Sequence, residues 1–203
     1  MMTIASQLLQ YPTGNLCNAN TAVRALDFAI KPLLTGVRLA GPAKTARIAP
    51  GQNAAIHRAV HTALPGDVLV VDGAGATTFG PFGDLLAECC KTKGIAGAVL
   101  DCSIRDSAEI RDLGFQVFSR GYQPSATAKD DPGEIDTEIV CGGVRVRPGD
   151  IIVADDDGVV VVPRDIAATV AEQAKQVVDK EVSIRARILA GESTFEIFGL
   201  DRS

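Results

Sequence analysis

The sequence predicts an α/β domain with a helical C-terminal arm, and three observations carry that reading. Apolar, strand-like runs at residues 67–72 and 95–101 alternate with helix-length segments, the pattern of a partly parallel sheet. Short β-branched runs follow at 138–141, 144–146, 151–154 and 159–162, punctuated by turns. Residues 165–190 then form one amphipathic stretch rich in Ala, Glu, Lys and Arg. At 203 residues the chain can bury a proper core and is read as one domain over 1–203, its arm starting near 165.

The elements are expected in this order. Residues 18–30 place polar cap candidates before an apolar-periodic stretch, which predicts a helix stopped by Pro32. A short strand is expected at 36–41. A helix over 52–64 ends at Pro65-Gly66. The strand 67–72 feeds a glycine-rich loop at 73–80, and a helix starts near Asp84. After a glycine turn come the strand 95–101, a short helix at 106–113 and a strand at 115–118. Residues 123–134 are polar and contain proline, so they read as a loop. Pro65-Gly66-Asp67 and Pro148-Gly149-Asp150 are two copies of one local solution, a Pro-Gly turn feeding a buried strand. The run Asp155-Asp156-Asp157-Gly158 lies between two strands, where an Asp-Gly hairpin turn explains it more simply than a metal loop does.

Composition excludes several classes. The net charge of −5 and the lack of a basic block give no reason to expect nucleic-acid binding. No run of about 20 apolar residues is present to span a bilayer. Residues 1–12 lack a charged region followed by an apolar core and do not read as a signal peptide. The five cysteines (Cys17, Cys89, Cys90, Cys102, Cys141) are odd in number and form no CxxC pair. They read as reduced, mostly buried thiols of a cytoplasmic protein.

The chemistry concentrates at Gly83-Asp84-Leu85-Leu86 and Arg105-Asp106. A helix of about ten residues from Asp84 travels roughly 15 Å. The strand 95–101, at about 3.3 Å per residue, is long enough to travel back. Arg105 and Asp106 are thereby expected beside the start of the helix the chain left, where two carboxylates, a guanidinium and free helix N–H groups suit a metal ion and a small anion. One carboxylate with water filling the other positions is typical of Mg²⁺. Asp106 at the start of a helix is also placed to cap it, the commoner role of an Asp there. Arg105 offers a planar fork for a carboxylate or an enolate, or else a salt bridge to Asp101 or Asp106. The amides of Leu85 and Leu86 form a carboxylate cradle. His57 and His61, spaced i,i+4, share a helix face but lack the glutamate of a zinc-protease motif. The glycine loop has neither a P-loop ending nor GxGxxG.

Asp84, twenty intervening residues, then Arg105-Asp106 resembles the signature of the class II pyruvate aldolases of the RraA-like family, which includes 4-hydroxy-4-methyl-2-oxoglutarate/4-carboxy-4-hydroxy-2-oxoadipate aldolases. Further matches are Pro65-Gly66-Asp67-Val68-Leu69-Val70-Val71-Asp72, Gly94-Ile95-Ala96-Gly97-Ala98-Val99 and the stretch from Val146 to Val159. The resemblance runs from about Ala19 to Ser193. It implies a swivelling β/β/α fold and a homotrimer or hexamer with active sites between subunits. It also implies a divalent metal, Mg²⁺ or Mn²⁺, held by Asp106, with Asp84 orienting a water on that metal. Arg105 would bind a small 2-oxo acid substrate, and the 83–86 backbone its carboxylate. Oxaloacetate decarboxylation is implied alongside retro-aldol cleavage. Arg24 stands where the family places an acid from a neighbouring subunit, and Glu181 is a candidate for a second such contact. Some family members inhibit ribonuclease E by binding it, the rival function. A methyltransferase label also exists in the family, but no glycine motif for S-adenosylmethionine follows a first strand here.

Overall fold

A computed structural model describes residues 2–200. Two short helices, α1 (Ile4–Leu8) and α2 (Thr13–Ala19), open the chain, followed by two-residue strands β1 (Arg24–Ala25) and β2 (Lys31–Pro32). Then come β3 (Leu39–Arg47), α3 (Ala54–Thr62), β4 (Val68–Ala76), α4 (Asp84–Thr92), β5 (Gly97–Cys102), α5 (Ser107–Leu113) and β6 (Val117–Ser119). Beyond them lie β7 (Glu134–Ile135), β8 (Ile139–Cys141), β9 (Val144–Val146), β10 (Ile151–Asp155) and β11 (Gly158–Val162). A 3₁₀ turn at Arg164–Ile166 leads into α6 (Ala167–Leu189), and α7 (Thr194–Ile197) closes the described chain.

The main sheet has nine strands ordered β1-β11-β10-β3-β4-β5-β6-β2, with β7 also on β3. Strand β3 joins its two halves. Residues 39–42 pair antiparallel with β10, and residues 43–47 pair parallel with β4. The β3-β4-β5-β6 run is parallel, its crossovers made by α3, α4 and α5. β4 is apolar on both faces because both are covered. Leu69 and Val71 pack with Ile56, Phe82 and Leu86 beneath the helices. Val68 and Val70 pack with Val99, Phe118 and the separate β8-β9 hairpin. A third core holds α1, α2 and the start of α6 against Ile151, Val153, Val160 and Val162.

The α/β class and the long C-terminal helix are as expected. One element is not: residues 18–30 form no continuous helix. Val23, Leu26 and Ile30 are buried at a helix-like spacing, but turns and the β1 strand bury them. Arg24 and Ala25 pair with Val161 and Val160, so an available sheet edge outcompetes helix formation. The strand expected at 36–41 starts at Leu39 and continues to Arg47, and half of the 73–80 loop extends β4. The Asp155–Gly158 segment is a hairpin between β10 and β11, as read. Cys90, Cys102 and Cys141 are buried, Cys17 is partly so, and Cys89 is exposed. Burial pushes the thiols of Cys90 and Cys102 up to about 12 and that of Cys141 well above its ordinary value, so these three are inert at neutral pH. Among the described residues no helix is long and apolar enough to cross a membrane.

Candidate active site

The chain returns as its element lengths require. β5 ends at Cys102, the next residues turn outward, and the Arg105 amide donates to the Phe82 carbonyl at 2.9 Å, just before α4. Asp106 then takes a left-handed backbone, φ 54° and ψ 41°, and its side chain makes no cap bond to α5. It turns instead toward α4, where its Oδ2 accepts from the Asp84 amide at 3.3 Å and from Arg105 Nε at 3.2 Å. The Asp106 carboxylate thus faces α4 and Arg105 and not its own helix.

Gly83 and Gly80 make room for this. A Cβ on Gly83 would stand 2.3 Å from Asp106 Oδ2 and 3.1 Å from Arg105 Nε. A Cβ on Gly80 would meet the Gln123 carbonyl oxygen at 2.3 Å and Arg105 Cβ at 2.8 Å. Arg105 pairs with Asp106 through Nε alone, and its terminal nitrogens donate to no described residue. Asp101 is not its partner, because that buried carboxylate is taken by Arg120 and the Gly142 amide. The cradle is half occupied: the Leu85 amide donates to Asp84 Oδ1 at 2.7 Å. An incoming carboxylate must displace that local bond.

Asp84, Arg105, Gly83, Leu85 and Leu86 line one cleft of about 140 Å³. That is small beside the pockets of about 300–1,000 Å³ that hold drug-sized ligands, so it suits a compact ligand. Asn53, His57, Gly80, Pro81, Thr127 and Lys129 complete the lining; of the side chains among them, the sequence singled out only His57, as half of an i,i+4 pair. Asn53 is buried, its Nδ2 donating to the Pro81 carbonyl at 3.1 Å, while its Oδ1 has no partner among the described residues. Burial and then the charge of Lys129 hold the His57 imidazole below its ordinary range. His61 is exposed on α3 but does not line the cleft, and the described residues hold no cluster of three or more His, Cys, Asp or Glu side chains fit for a metal. Arg24 lies on the exposed edge strand, and Glu181 accepts from Asn15 Nδ2 at 3.0 Å; neither lines the cleft.

A lone carboxylate with a second nearby, and no soft-ligand cluster, suits a hard cation that keeps most of its waters. Asp106 is the residue able to hold it, with Asp84 adjacent. Arg105 and the α4 amides form the complementary anion end.

The model of the RraA-like family, described as Aldolase/RraA, matches residues 13–161. The chain belongs to that family. A relative from Halalkalibacterium halodurans, named "Putative 4-hydroxy-4-methyl-2-oxoglutarate aldolase", is 40% identical over 171 residues, covering 84% of this chain and 81% of the relative. Among solved structures, a Streptomyces coelicolor protein described as an unusual member of the RNase ES inhibitor RraA family superposes with a TM-score of 0.82 at 32% identity, covering 90% of this chain and 95% of that one. A Geobacillus kaustophilus structure, described as an S-adenosylmethionine:2-dimethylmenaquinone methyltransferase, matches with a TM-score of 0.72 at 34% identity, covering 77% of this chain and 98% of that one. The RraA-like fold expected from the sequence is therefore the fold observed.

Proposed function

We propose that this RraA-like chain, read as one domain, is a divalent-metal-dependent lyase. It cleaves 4-hydroxy-2-oxo acids of the 4-hydroxy-4-methyl-2-oxoglutarate or 4-carboxy-4-hydroxy-2-oxoadipate type to pyruvate and decarboxylates oxaloacetate. The observation that carries the reading is the Asp106 carboxylate, held off its own helix and against Gly83, in reach of Arg105 and beside a small-acid cleft. The 40%-identical aldolase-named relative supports it.

In this reading Asp106 holds Mg²⁺ or Mn²⁺, and such a cation supplies Lewis-acid stabilisation of negative oxygen. The amides of Leu85 and Leu86 receive the substrate carboxylate. Arg105 donates its free terminal N–H groups to the 2-oxo oxygen. Asp84 receives, through solvent, the proton of the 4-hydroxyl. The C3–C4 bond then breaks, C4 becomes a carbonyl carbon, and the bonding pair passes into a pyruvate enolate whose oxygen faces Arg105. Protonation at C3 gives pyruvate. Oxaloacetate yields the same enolate by losing CO₂, with no hydroxyl proton to remove. Preorganised charge aimed at a developing enolate is commonly worth several kcal/mol.

The functional assembly in this reading is a cytoplasmic homotrimer or hexamer with active sites between subunits. In support, α6 buries only its first turns, leaving Val182, Ile188 and Leu189 exposed, and Leu85 is 74% exposed at the cleft. The test is pyruvate release from a panel of 4-hydroxy-2-oxo acids and oxaloacetate by chelator-treated protein, with and without added Mg²⁺ or Mn²⁺. Metal-restored release is expected. Full release with metal confirmed absent overturns the metal-centred reading. No release from any acid, with capture of ribonuclease E in a pull-down, favours the inhibitor reading that the Streptomyces neighbour's description supports.

A further inference from the structure

The segment 123–133 has almost no regular structure, yet it brings Lys129 to the cleft. Its anchors are unevenly spread. On one side the Gln123 amide donates to the Ile104 carbonyl at 2.8 Å and the Gly80 amide to the Ser125 carbonyl at 3.0 Å. At its centre Ala128 forms a parallel bridge with Gln52. The Asn53 amide donates to the Ala128 carbonyl at 3.1 Å, and the Ala128 amide to the Gly51 carbonyl at 2.8 Å. Immediately beyond Lys129, the amides of Asp130 and Asp131 both donate to Gln52 Oε1, at 3.0 and 3.3 Å. Lys129 thus stands between a backbone clamp on one side and a side-chain clamp on the other.

We propose that Gln52 is a positioning residue that registers Lys129 as the second fixed cation of the cleft beside Arg105. Gln52 does not itself line the cleft, so it acts through the strap and not on a ligand. The inference rests on the proposed function only for what the ammonium meets, the carboxylate of a 2-oxo acid. The placement itself is a property of the fold. Fixing the backbone that carries Lys129 removes loop ordering from what binding must still restrain. Lys129 and His57 line the same cleft, and the Lys129 charge adds to burial in holding the His57 imidazole below its ordinary range. Asp84 and Arg105 are the other charged groups lining the same cleft.

The test compares wild type, Gln52→Met, Lys129→Met and the double variant. The first readout is the NMR titration of the His57 ring, assigned with a His61→Gln variant, since the chain has only two histidines. Each single substitution is expected to move that titration upward toward the ordinary histidine value. The double is expected to go no further than Lys129→Met alone, the non-additivity of residues acting as a unit. The second readout is oxaloacetate decarboxylation. Gln52→Met is expected to raise KM roughly ten-fold, the scale of a weakened hydrogen bond to a charged group, with kcat little changed and no added effect when Lys129 is gone. An unmoved His57 titration in folded Gln52→Met, or additive effects, overturns the proposal. If the variant does not fold, hydrogen exchange of the wild-type Asp130 and Asp131 amides decides it, and exchange at free-loop rates refutes the clamp. A protein that releases no pyruvate sinks the functional reading, while the His57 titration still decides the role of Gln52.

Discussion

Replacing Gly83 by alanine tests the site with the least collateral change. The backbone there has φ −130°, which any residue adopts, so alanine adds no conformational strain. What it adds is one methyl 2.3 Å from Asp106 Oδ2, 3.1 Å from Arg105 Nε and 3.2 Å from Arg105 Cγ. Ordinary contact begins near 3.5 Å, so the carboxylate must retreat by about 1 Å. Misplacing a reacting group by about 1 Å commonly costs roughly 100-fold in rate. The obstructed atoms belong to side chains on a half-exposed surface, so the folding cost should stay near the lower end of overpacking, about 1 kcal/mol. For a chain of this size that is a fall of about 2–4 °C in melting temperature. The assay is metal-dependent pyruvate release and a thermal melt on the same preparation. Gly80→Ala is the contrast, because its methyl would meet the Gln123 backbone carbonyl oxygen at 2.3 Å, so it should lose more stability. A folded Gly83→Ala protein with native turnover and native metal requirement would refute the site as built.

Asp106→Ala should abolish metal-dependent turnover, because in the proposed chemistry it removes the carboxylate that holds the cation. Arg105→Lys keeps the charge but loses the planar fork, so metal binding should persist while rate and substrate affinity fall. Near-native turnover with a lowered melting point would reduce Arg105 to a brace for Asp106. For pH, the folded His57 pKa lies below its unfolded value, so protonation favours the unfolded chain. Well above about pH 6.5 the imidazole is neutral in both states and contributes nothing. As pH falls below that value wild type should lose stability that His57→Gln keeps, and parallel denaturation midpoints from pH 7 to pH 5 would contradict this. Light scattering should report a trimer or hexamer, and a monomer fully active at assay dilution would count against sites built between subunits.

The cleft was legible in part, for reasons that can be assigned to residues. Asp84, Arg105 and Asp106 could be brought together on paper because helix and strand rises fix how far the chain travels and returns. The Asp106 cap and the Arg105 brace could not be weighed without coordinates: the cap is absent and the brace uses only Nε. Asn53, His57 and Lys129 were invisible as a group. They meet through a bridge between Gln52 and Ala128, a pairing far apart in sequence that no periodicity announces. Asn53 falls inside the helix expected over 52–64, whereas α3 starts at Ala54 and the Asn53 side chain makes no cap bond, which leaves it to the cleft. The misread 18–30 segment failed the other way. Val23, Leu26 and Ile30 have a helix-like spacing, but the Leu26 amide is taken by the Val159 carbonyl at 2.9 Å across the sheet edge.

The left-handed backbone at Asp106 also bears on how easily this protein could change trades. A non-glycine residue in that conformation costs about 1 kcal/mol relative to glycine. The two bonds its carboxylate receives, at 3.2 and 3.3 Å, lie at the long end of the hydrogen-bond range and offset only part of it. Glycine at position 106 would relieve that backbone cost. Under the proposed chemistry, only turnover keeps the aspartate there, and an Asp106→Gly chain should melt no lower than wild type while making no pyruvate. Under the same proposed chemistry, a chain that lost the aspartate would keep a scaffold still able to present its surface to another protein.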